Sequence, residues 1–243
     1  MRFKRYKSEL EYSYALGAAP VIELISACPG DVIGVYVSPG YKPGSDADIF
    51  GVCAQNNLPC EVNQKFFNIA ADKENIYVAA VFRKRAASLN AHLPHAVFVN
   101  PGDAGNLGTN IRTCLGFDFL DIAVIRPGAD VYAPKTVRAS MGALFHVRSA
   151  CFSSFGEYAA TFPKHIKYFF MLNGKTELNS VPAPRDGRVS LVFGNEATGL
   201  PDEYLQYGNS VRIPHSGAID SLNLSVAAGI ATNAFYKLRQ SDS

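Results

Sequence analysis

Residues 95–113 read HAVFVNPGDAGNLGTNIRT, an apolar run that leads into a glycine-rich loop and then into a helix-forming stretch. The run His95–Val99 is predicted to be a β-strand, and so are the apolar runs Asp121–Ile125 and Val189–Phe193. Near-continuous apolar strands that alternate with helical segments are typical of a parallel sheet with helices on both faces. The sequence therefore predicts an α/β fold.

The remaining predicted elements continue this alternation. Strands are predicted at 32–37, 76–82, 166–172 and 210–213, and helices at 18–27, 133–141, 153–161 and from 221 onward. A further helix, capped by Asp46 or Asp48, is predicted to run to about residue 55. The polar stretch 86–94 predicts a boundary between an N-terminal domain, 1–90, and a second domain, 95–243. An exposed loop inside one larger domain remains the alternative.

Composition limits the class of protein. Of 243 residues, 48% are apolar, which indicates a globular chain, and 23 basic against 21 acidic residues give a net charge of only +2. No window predicts a membrane span or a signal-peptide core, so a soluble, cytoplasmic protein is expected. The five cysteines form no Cys-x-x-Cys pair, and the histidines show no ligand spacing; reduced thiols and no metal site are therefore expected.

The loop after the strand 95–99 is the first candidate site. Its glycines, spaced Gly-x-x-Gly-x-x-Gly, let backbone amides approach a ligand closely but do not match the dinucleotide fingerprint, so a nucleotide-dependent oxidoreductase is disfavoured. If the chain turns back at Gly108, Asn106 and Arg112 face one cavity, where the guanidinium suits a phosphate. The alternative is a capping Asn and a surface Arg.

Two later segments carry similar polar groups beside strand ends. In LVFGNEATGLP, 191–201, Gly194 permits a sharp turn, and Glu196 is predicted to accept hydrogen bonds or to pair with Arg112. The alternative is a carboxylate that offsets a helix dipole. In IPHSGAIDSLNLSVAAG, 213–229, Ser221 and Asn223 gather polar groups at a helix start. The alternative there is simple helix capping.

Together, NLGTNIRT, LVFGNEATGLP and IPHSGAIDSLNLSVAAG resemble, in this order, the three signature motifs of the SpoU/TrmH-like branch of the SPOUT RNA methyltransferase superfamily. The resemblance spans 95–240, and PKTVRASMGALFHV between the first two motifs is also similar. It implies transfer of a methyl group from S-adenosylmethionine to a ribose 2′-hydroxyl of tRNA or rRNA. It also implies a C-terminal SPOUT-type parallel sheet with a trefoil knot, and a homodimer formed through that domain.

The resemblance further implies roles for individual residues. The residues expected to bind S-adenosylmethionine are Gly194, Asn195, Ile213, Pro214 and Leu222. The expected catalytic residues are Asn106, Arg112, Glu196, Ser221 and Asn223. For Arg112 two roles are open, a base or a phosphate clamp, and the clamp is favoured because a free guanidinium stays protonated. A non-catalytic RNA-binding protein that retains the knotted fold is the alternative function.

The N-terminal part, 1–90, resembles the small α/β substrate-binding domain that precedes the knot in several family members. Its basic residues are expected to grip RNA phosphates, and three tyrosines could stack on bases. A solvated basic surface and local packing of the tyrosines are the alternatives. These basic residues are Arg2, Lys4, Arg5, Lys7, Arg83, Lys84 and Arg85, and the tyrosines are Tyr6, Tyr12 and Tyr14.

Overall fold

The computed structural model describes residues 3–42, 48–70, 75–184 and 186–240. These residues form two sheets and the helices that cover them. The strands are β1 (Tyr12–Leu16), β2 (Val32–Val37), β3 (Cys60–Val62), β4 (Val78–Arg83), β5 (His95–Val99), β6 (Asp121–Ile125), β7 (Arg148–Phe152), β8 (Ile166–Phe170), β9 (Thr176–Glu177), β10 (Val189–Phe193) and β11 (Asn209–Arg212). The helices are α1 (Ala18–Ala27), α2 (Ile49–Gln55), α3 (Gln64–Ala70), α4 (Ala104–Gly116), α5 (Pro134–Ala139), α6 (Phe155–Thr161) and α7 (Leu224–Gln240).

The first sheet has the strand order β1-β4-β2-β3, with β4 antiparallel to both of its neighbours. One of its faces is an aromatic cluster in which Tyr36 stacks on Phe66 of α3, with ring centroids 4.0 Å apart. Tyr12 and Tyr14 belong to the same cluster and are buried. These two tyrosines therefore pack in the core, which confirms the interpretation of local packing and excludes stacking on bases.

The second sheet has seven strands in the order β7-β6-β5-β10-β8-β11-β9, and every neighbouring pair is parallel. On one face, Phe98 and Leu191 pack with Leu107 of α4 and Phe235 of α7. The other face is covered by α6. The predicted parallel sheet, with apolar strands buried on both faces, is confirmed. From β5 the chain adds β6 and then β7 toward one edge of the sheet, whereas β8 to β11 all lie on the opposite side of β5. The strand order therefore reverses between β5 and β10, which makes this position the switch point of the sheet.

The two sheets contact each other through polar and apolar groups. Ser13 of β1 donates to the carbonyl oxygen of Tyr132 at 2.5 Å, and His146 lies 2.7 Å from a carboxylate oxygen of Glu23 on α1. Leu24 of α1 and Leu144 belong to one continuous hydrophobic cluster that reaches both sheets. A buried apolar contact of this kind restricts motion of one sheet against the other.

The basic cluster after β4 is bound by the chain itself. Lys84 donates to the carbonyl oxygen of Ser8 at 2.8 Å and lies 4.8 Å from the ring centre of Tyr6. Arg85 forms an ion pair with Asp31, and Arg83 donates to the carbonyl oxygen of Gly30. These cations have protein partners, while Arg83 and Arg85 remain exposed, so the grip on RNA phosphates stays a prediction. Arg2 of the other cluster lies outside the described residues.

Several predicted bounds are confirmed and others move for local reasons. Helix α2 begins where Asp48 accepts the N–H of Phe50 at 3.1 Å, while Asp46 lies outside the described residues. Helix α7 starts at Leu224 rather than 221, because the side chain of Asn223 accepts the N–H of Ser225 at 2.8 Å. The remaining shifts are of one or two residues, at β4, α5, α6, β8 and β11. None of the described helices is long and apolar enough to cross a bilayer.

Candidate active site

A cavity of about 440 Å³ opens at the carboxyl edge of the seven-stranded sheet. Its walls are the segments that follow three adjacent strands, β8, β10 and β11, together with the start of α7. Pockets of roughly 300–1,000 Å³ commonly hold small ligands, and in open parallel sheets they lie beyond the carboxyl ends of the strands. The predicted ligand site at this edge therefore has a matching cavity.

The turn after β10 is organised by Asn195. Its Oδ1 atom accepts the N–H groups of Ala197 at 2.9 Å and Thr198 at 3.2 Å. Its Nδ2 atom donates to the carbonyl oxygen of Asn100 at 2.7 Å, which lies just after β5. Asn195 therefore fixes the cavity wall and joins the ends of β5 and β10 across the switch point.

Glu196 connects this turn to the start of α4. One carboxylate oxygen accepts the backbone N–H of Gly102 at 2.9 Å, and the other accepts the side-chain amide of Asn106 at 3.1 Å. Burial alone would raise the pKa of Glu196, but these donors outweigh it, so its pKa lies below the usual range. The ionised carboxylate thus faces the amino end of α4, where the helix dipole favours negative charge.

The amino end of α4 is fixed by Asp103, which caps the helix by accepting the N–H of Asn106 at 2.9 Å. Lys135 at the start of α5 lies 2.5 Å from the other carboxylate oxygen of Asp103, and this ion pair lowers the pKa of Asp103. The cap and the ion pair hold the turn of helix that carries Asn106 toward Glu196.

Arg112 lies elsewhere on α4. The helix runs unbroken through Gly108, so the predicted turn at that residue is wrong, and Asn106 and Arg112 point about 120° apart around the axis. Arg112 is exposed, does not line the cavity, and makes no hydrogen bond or ion pair with any described residue. Its predicted pairing with Glu196 is therefore absent; Glu196 binds Asn106 instead.

Some residues of the third motif line the cavity, and another lies at the start of α7. Ile213, Ser221 and Leu222 line the cavity, as do Gly194, Asn195 and Glu196. Pro214 and Asn223 do not line the cavity. The side chain of Asn223 caps α7, as the alternative of simple helix capping predicts for this residue.

Among the residues of the wall that sequence reasoning missed are Leu172, Asn173, Asp202 and His215. The first two follow β8, which was expected to continue to residue 172. Their position depends on β8 lying directly between β10 and β11, a strand order that the alternation of strands and helices does not encode. His215 lies within the third motif, so it could have been found as a titratable side chain of that motif beside the expected ligand-binding residues.

Comparison with known proteins gives a consistent result. The model of the SpoU rRNA methylase family matches residues 94–233. A protein of Listeria innocua named for tRNA (cytidine(34)-2′-O)-methyltransferase activity is 33% identical over 150 residues, which cover 60% of this chain and 87% of that protein. A 23S rRNA guanosine 2′-O-methyltransferase of Bacillus subtilis is 34% identical over 145 residues, covering 56% of this chain and 54% of that protein.

Solved structures extend the likeness to nearly the whole chain. An S-adenosylmethionine-bound rRNA methyltransferase of Sinorhizobium meliloti has a TM-score of 0.77 and 25% identity, covering 93% of this chain and 87% of that one. The SpoU methyltransferase AviRb of Streptomyces viridochromogenes has a TM-score of 0.80 at 20% identity, covering 96% and 91%, and shows the shared fold alone. The family match extends from β5 into α7 and so includes all three motifs around the cavity: the chain belongs to the SpoU rRNA methylase family.

Proposed function

We propose that this protein transfers a methyl group from S-adenosylmethionine to a ribose 2′-hydroxyl of tRNA or rRNA. The observation that carries the proposal is the cavity at the carboxyl edge, which is walled by Gly194, Glu196, Ser221 and Leu222 from two of the three motifs. The first motif reaches the same place through the Asn106–Glu196 hydrogen bond. Relatives that carry the family motifs are named for 2′-O-methylation of tRNA and rRNA.

The cavity suits S-adenosylmethionine in shape and chemistry. Its wall combines apolar side chains, among them Phe193 and Leu222, with two carboxylates, Glu196 and Asp202. Apolar walls favour a purine ring, and carboxylates favour the cationic groups of the methyl donor. Gly194, Asn195, Ile213 and Leu222 would hold the molecule, and Pro214 would fix the chain beside Ile213. When bound, S-adenosylmethionine supplies a methyl group on a sulfonium, which needs no metal for activation.

The polar residues around the cavity would position the ribose. Asn106 and Glu196 form one hydrogen-bonded unit that fixes the end of β5 against the end of β10. Ser221 lines the cavity and would donate or accept a hydrogen bond to substrate, and Asn223 would hold the start of α7 beside it. Arg112 would bind a neighbouring phosphate and stabilise negative charge on the ribose oxygen.

We further propose a homodimer that forms through the C-terminal domain. Arg112 does not line the cavity of its own chain, although the resemblance assigns it to catalysis. On the neighbouring helix α7, Val226 is 50% exposed and Ile230 is 39% exposed, one helical turn apart. An apolar stripe beside an unpaired guanidinium fits an isologous contact in which Arg112 reaches the cavity of the second copy.

The same proposal covers the arrangement of the chain. Residues 1–90 would form a substrate-binding domain, which the separate first sheet supports, and 95–243 would form the knotted methyltransferase domain. The knot is proposed from the resemblance of the three motifs to the family and from the likeness in fold to a SpoU methyltransferase. Five unpaired cysteines and an RNA substrate favour the cytoplasm. RNA crosslinking with mass spectrometry should map contacts to both parts of the chain.

Mapping of ribose methylation in RNA from cells with and without the protein tests the activity. One nucleotide in tRNA or rRNA should lose its 2′-O-methyl group when the protein is absent. Calorimetry with S-adenosylmethionine distinguishes the alternative: a folded protein that binds RNA but no methyl donor would be a non-catalytic RNA-binding protein.

A further inference from the structure

Methylation of a hydroxyl requires that its proton leave, and the proposed function leaves the acceptor of that proton unassigned. Arg112 cannot serve, because a guanidinium stays protonated in proteins and because this residue does not line the cavity of its own chain. Asn106, Ser221 and Asn223 carry amide or hydroxyl groups that are not bases at neutral pH. The acceptor must therefore be sought among the titratable residues of the cavity wall.

Three titratable side chains line the cavity: Glu196, Asp202 and His215. Glu196 already accepts from Gly102 and Asn106, and those bonds hold its pKa below the usual range, which weakens it as a base. A carboxylate such as that of Asp202 is a weaker base than an imidazole. A general base works best when its pKa lies near the working pH, and imidazole is the side chain with that property.

The hydrogen bonding of His215 fixes its tautomer. The Nδ1 atom lies 2.9 Å from the carbonyl oxygen of Ser216, and a carbonyl oxygen can only accept. Nδ1 therefore carries a hydrogen, and in the neutral ring Nε2 has a free lone pair. Nε2 makes no hydrogen bond with any described residue, and the side chain is exposed in the segment that closes the cavity.

The charged groups around His215 are few in the described part of the chain. Glu196 and Asp202 line the same cavity, and Asp220 lies in the same segment of the chain. Arg212, at the end of β11, is engaged by Glu177. The other charged groups that share the cavity wall with His215 are therefore acidic.

We propose that Nε2 of His215 accepts the proton of the ribose 2′-hydroxyl during methyl transfer. This inference rests on the proposed function. The oxygen uses the electron pair of its O–H bond to form the bond to the methyl carbon, while the proton moves to Nε2. The bond between methyl and sulfur breaks with its electron pair on sulfur, which leaves a neutral thioether, and the imidazolium then releases its proton to water.

The test compares wild type with His215→Gln, and with His92→Gln as a matched control at an exposed histidine far from the cavity wall. The probe is total RNA from cells that lack the protein, with S-adenosylmethionine labelled in its methyl group, under single-turnover conditions. The wild-type rate should rise with pH over about 5.5–7.5, where imidazoles ordinarily titrate. His215→Gln should lose that dependence and fall about 100-fold in rate, a typical general-base effect. His92→Gln should behave as wild type.

Two further measurements, one of ligand binding and one of the histidine tautomer, separate a loss of the base from a loss of the folded site. Calorimetry should give the same S-adenosylmethionine affinity for His215→Gln and wild type, since the variant removes a base and keeps a polar side chain. Two-dimensional NMR of the imidazole nitrogens in the wild-type protein should show hydrogen on Nδ1 and none on Nε2 at pH 8.

Each contrary result has its own meaning. A wild-type protein that methylates RNA, together with a His215→Gln variant of unchanged rate and pH profile, would overturn the inference alone. So would hydrogen on Nε2 at pH 8. A wild-type protein that binds S-adenosylmethionine yet methylates no RNA would overturn the proposed function and the inference with it.

Discussion

Gly194 and Gly199 lie so close that a Cβ atom on Gly194 would be 2.3 Å from the carbonyl carbon of Gly199. The first residue after β10 therefore rests directly on the backbone of its own turn. This contact holds the turn 194–199 in a tight ring, which Asn195 closes by accepting two N–H groups. A side chain at Gly194 would therefore first crowd the backbone of its own turn.

Gly194→Ala should open this turn and weaken S-adenosylmethionine binding by at least tenfold. The new methyl group cannot be accommodated by a flexible side chain, because the atoms that it meets are backbone. Calorimetry measures the affinity and circular dichroism the melting temperature. Gly116→Ala is the control, since a Cβ atom there meets nothing within 4 Å. Unchanged affinity in Gly194→Ala would show that the turn does not shape the ligand site.

Gly108→Ala should destabilise the fold. A Cβ atom at this position would lie 2.4 Å from the carbonyl oxygen of Thr136 and 2.7 Å from the Cβ atom of Ala139, so α4 would have to move away from α5. Overpacking of a close contact typically costs about 1–3 kcal/mol. Urea unfolding should show this loss with an unchanged m-value. A loss no larger than that of Gly116→Ala would mean that the helices can separate freely.

The far end of the sheet from the cavity holds a network that should make stability depend on pH. His95 lies 2.8 Å from the hydroxyl of Tyr158, which lies 2.6 Å from Ser190, and His165 lies 3.0 Å from the same serine hydroxyl. Burial lowers the pKa of His95 to about 4 and also lowers the pKa of His165. Both rings are therefore neutral in the folded protein at pH 7.

Because the folded pKa is below the unfolded value of about 6.5, the unfolded chain takes up protons first as the pH falls. The free energy of unfolding should thus be highest above pH 7 and should fall between pH 6.5 and 4, by up to about 1.4 kcal/mol per pH unit for each histidine. His95→Gln should be less stable at pH 7 and should show a shallower fall. His92→Gln should keep the wild-type slope, and an equal slope in all three proteins would refute the assignment.

Much of the fold could be predicted because the central strands are buried on both faces. The bounds of β5, β6 and β10 match the apolar runs residue for residue, since continuous burial leaves a continuous apolar pattern. The edge strand β7 was missed because only Ser149 and Phe152 of its residues RSACF are buried, so it leaves no continuous apolar run. The strand β1 was missed because its tyrosines are buried yet read as polar aromatic residues.

The candidate site could be predicted only in part. The motifs indicated Gly194, Glu196, Ser221 and Leu222, which the cavity brings together. Spacing alone could not show that Asn106 pairs with Glu196 across 90 residues, because that contact depends on β5 and β10 being neighbours. Nor could spacing place Arg112, whose direction depends on α4 beginning at Ala104 rather than after Gly108.

The position of Arg112 leads to a prediction about the assembly. Arg112→Ala should leave the melting temperature and S-adenosylmethionine affinity unchanged, because this side chain has no partner among the described residues and does not line the cavity. RNA methylation by this variant should be strongly reduced.

If Arg112 acts across a dimer interface, a mixture of Arg112→Ala and Gly194→Ala subunits should recover activity that neither variant has alone. In a mixed dimer, the intact cavity of the first subunit meets the intact Arg112 of the second. With equal amounts and random exchange, half of the dimers are mixed and one of their two sites is complete, so about a quarter of the wild-type activity should return. Two Arg112→Ala preparations mixed in the same way are the control and should remain inactive. No recovery from a mixture shown by light scattering to contain dimers would mean that Arg112 serves the cavity of its own chain.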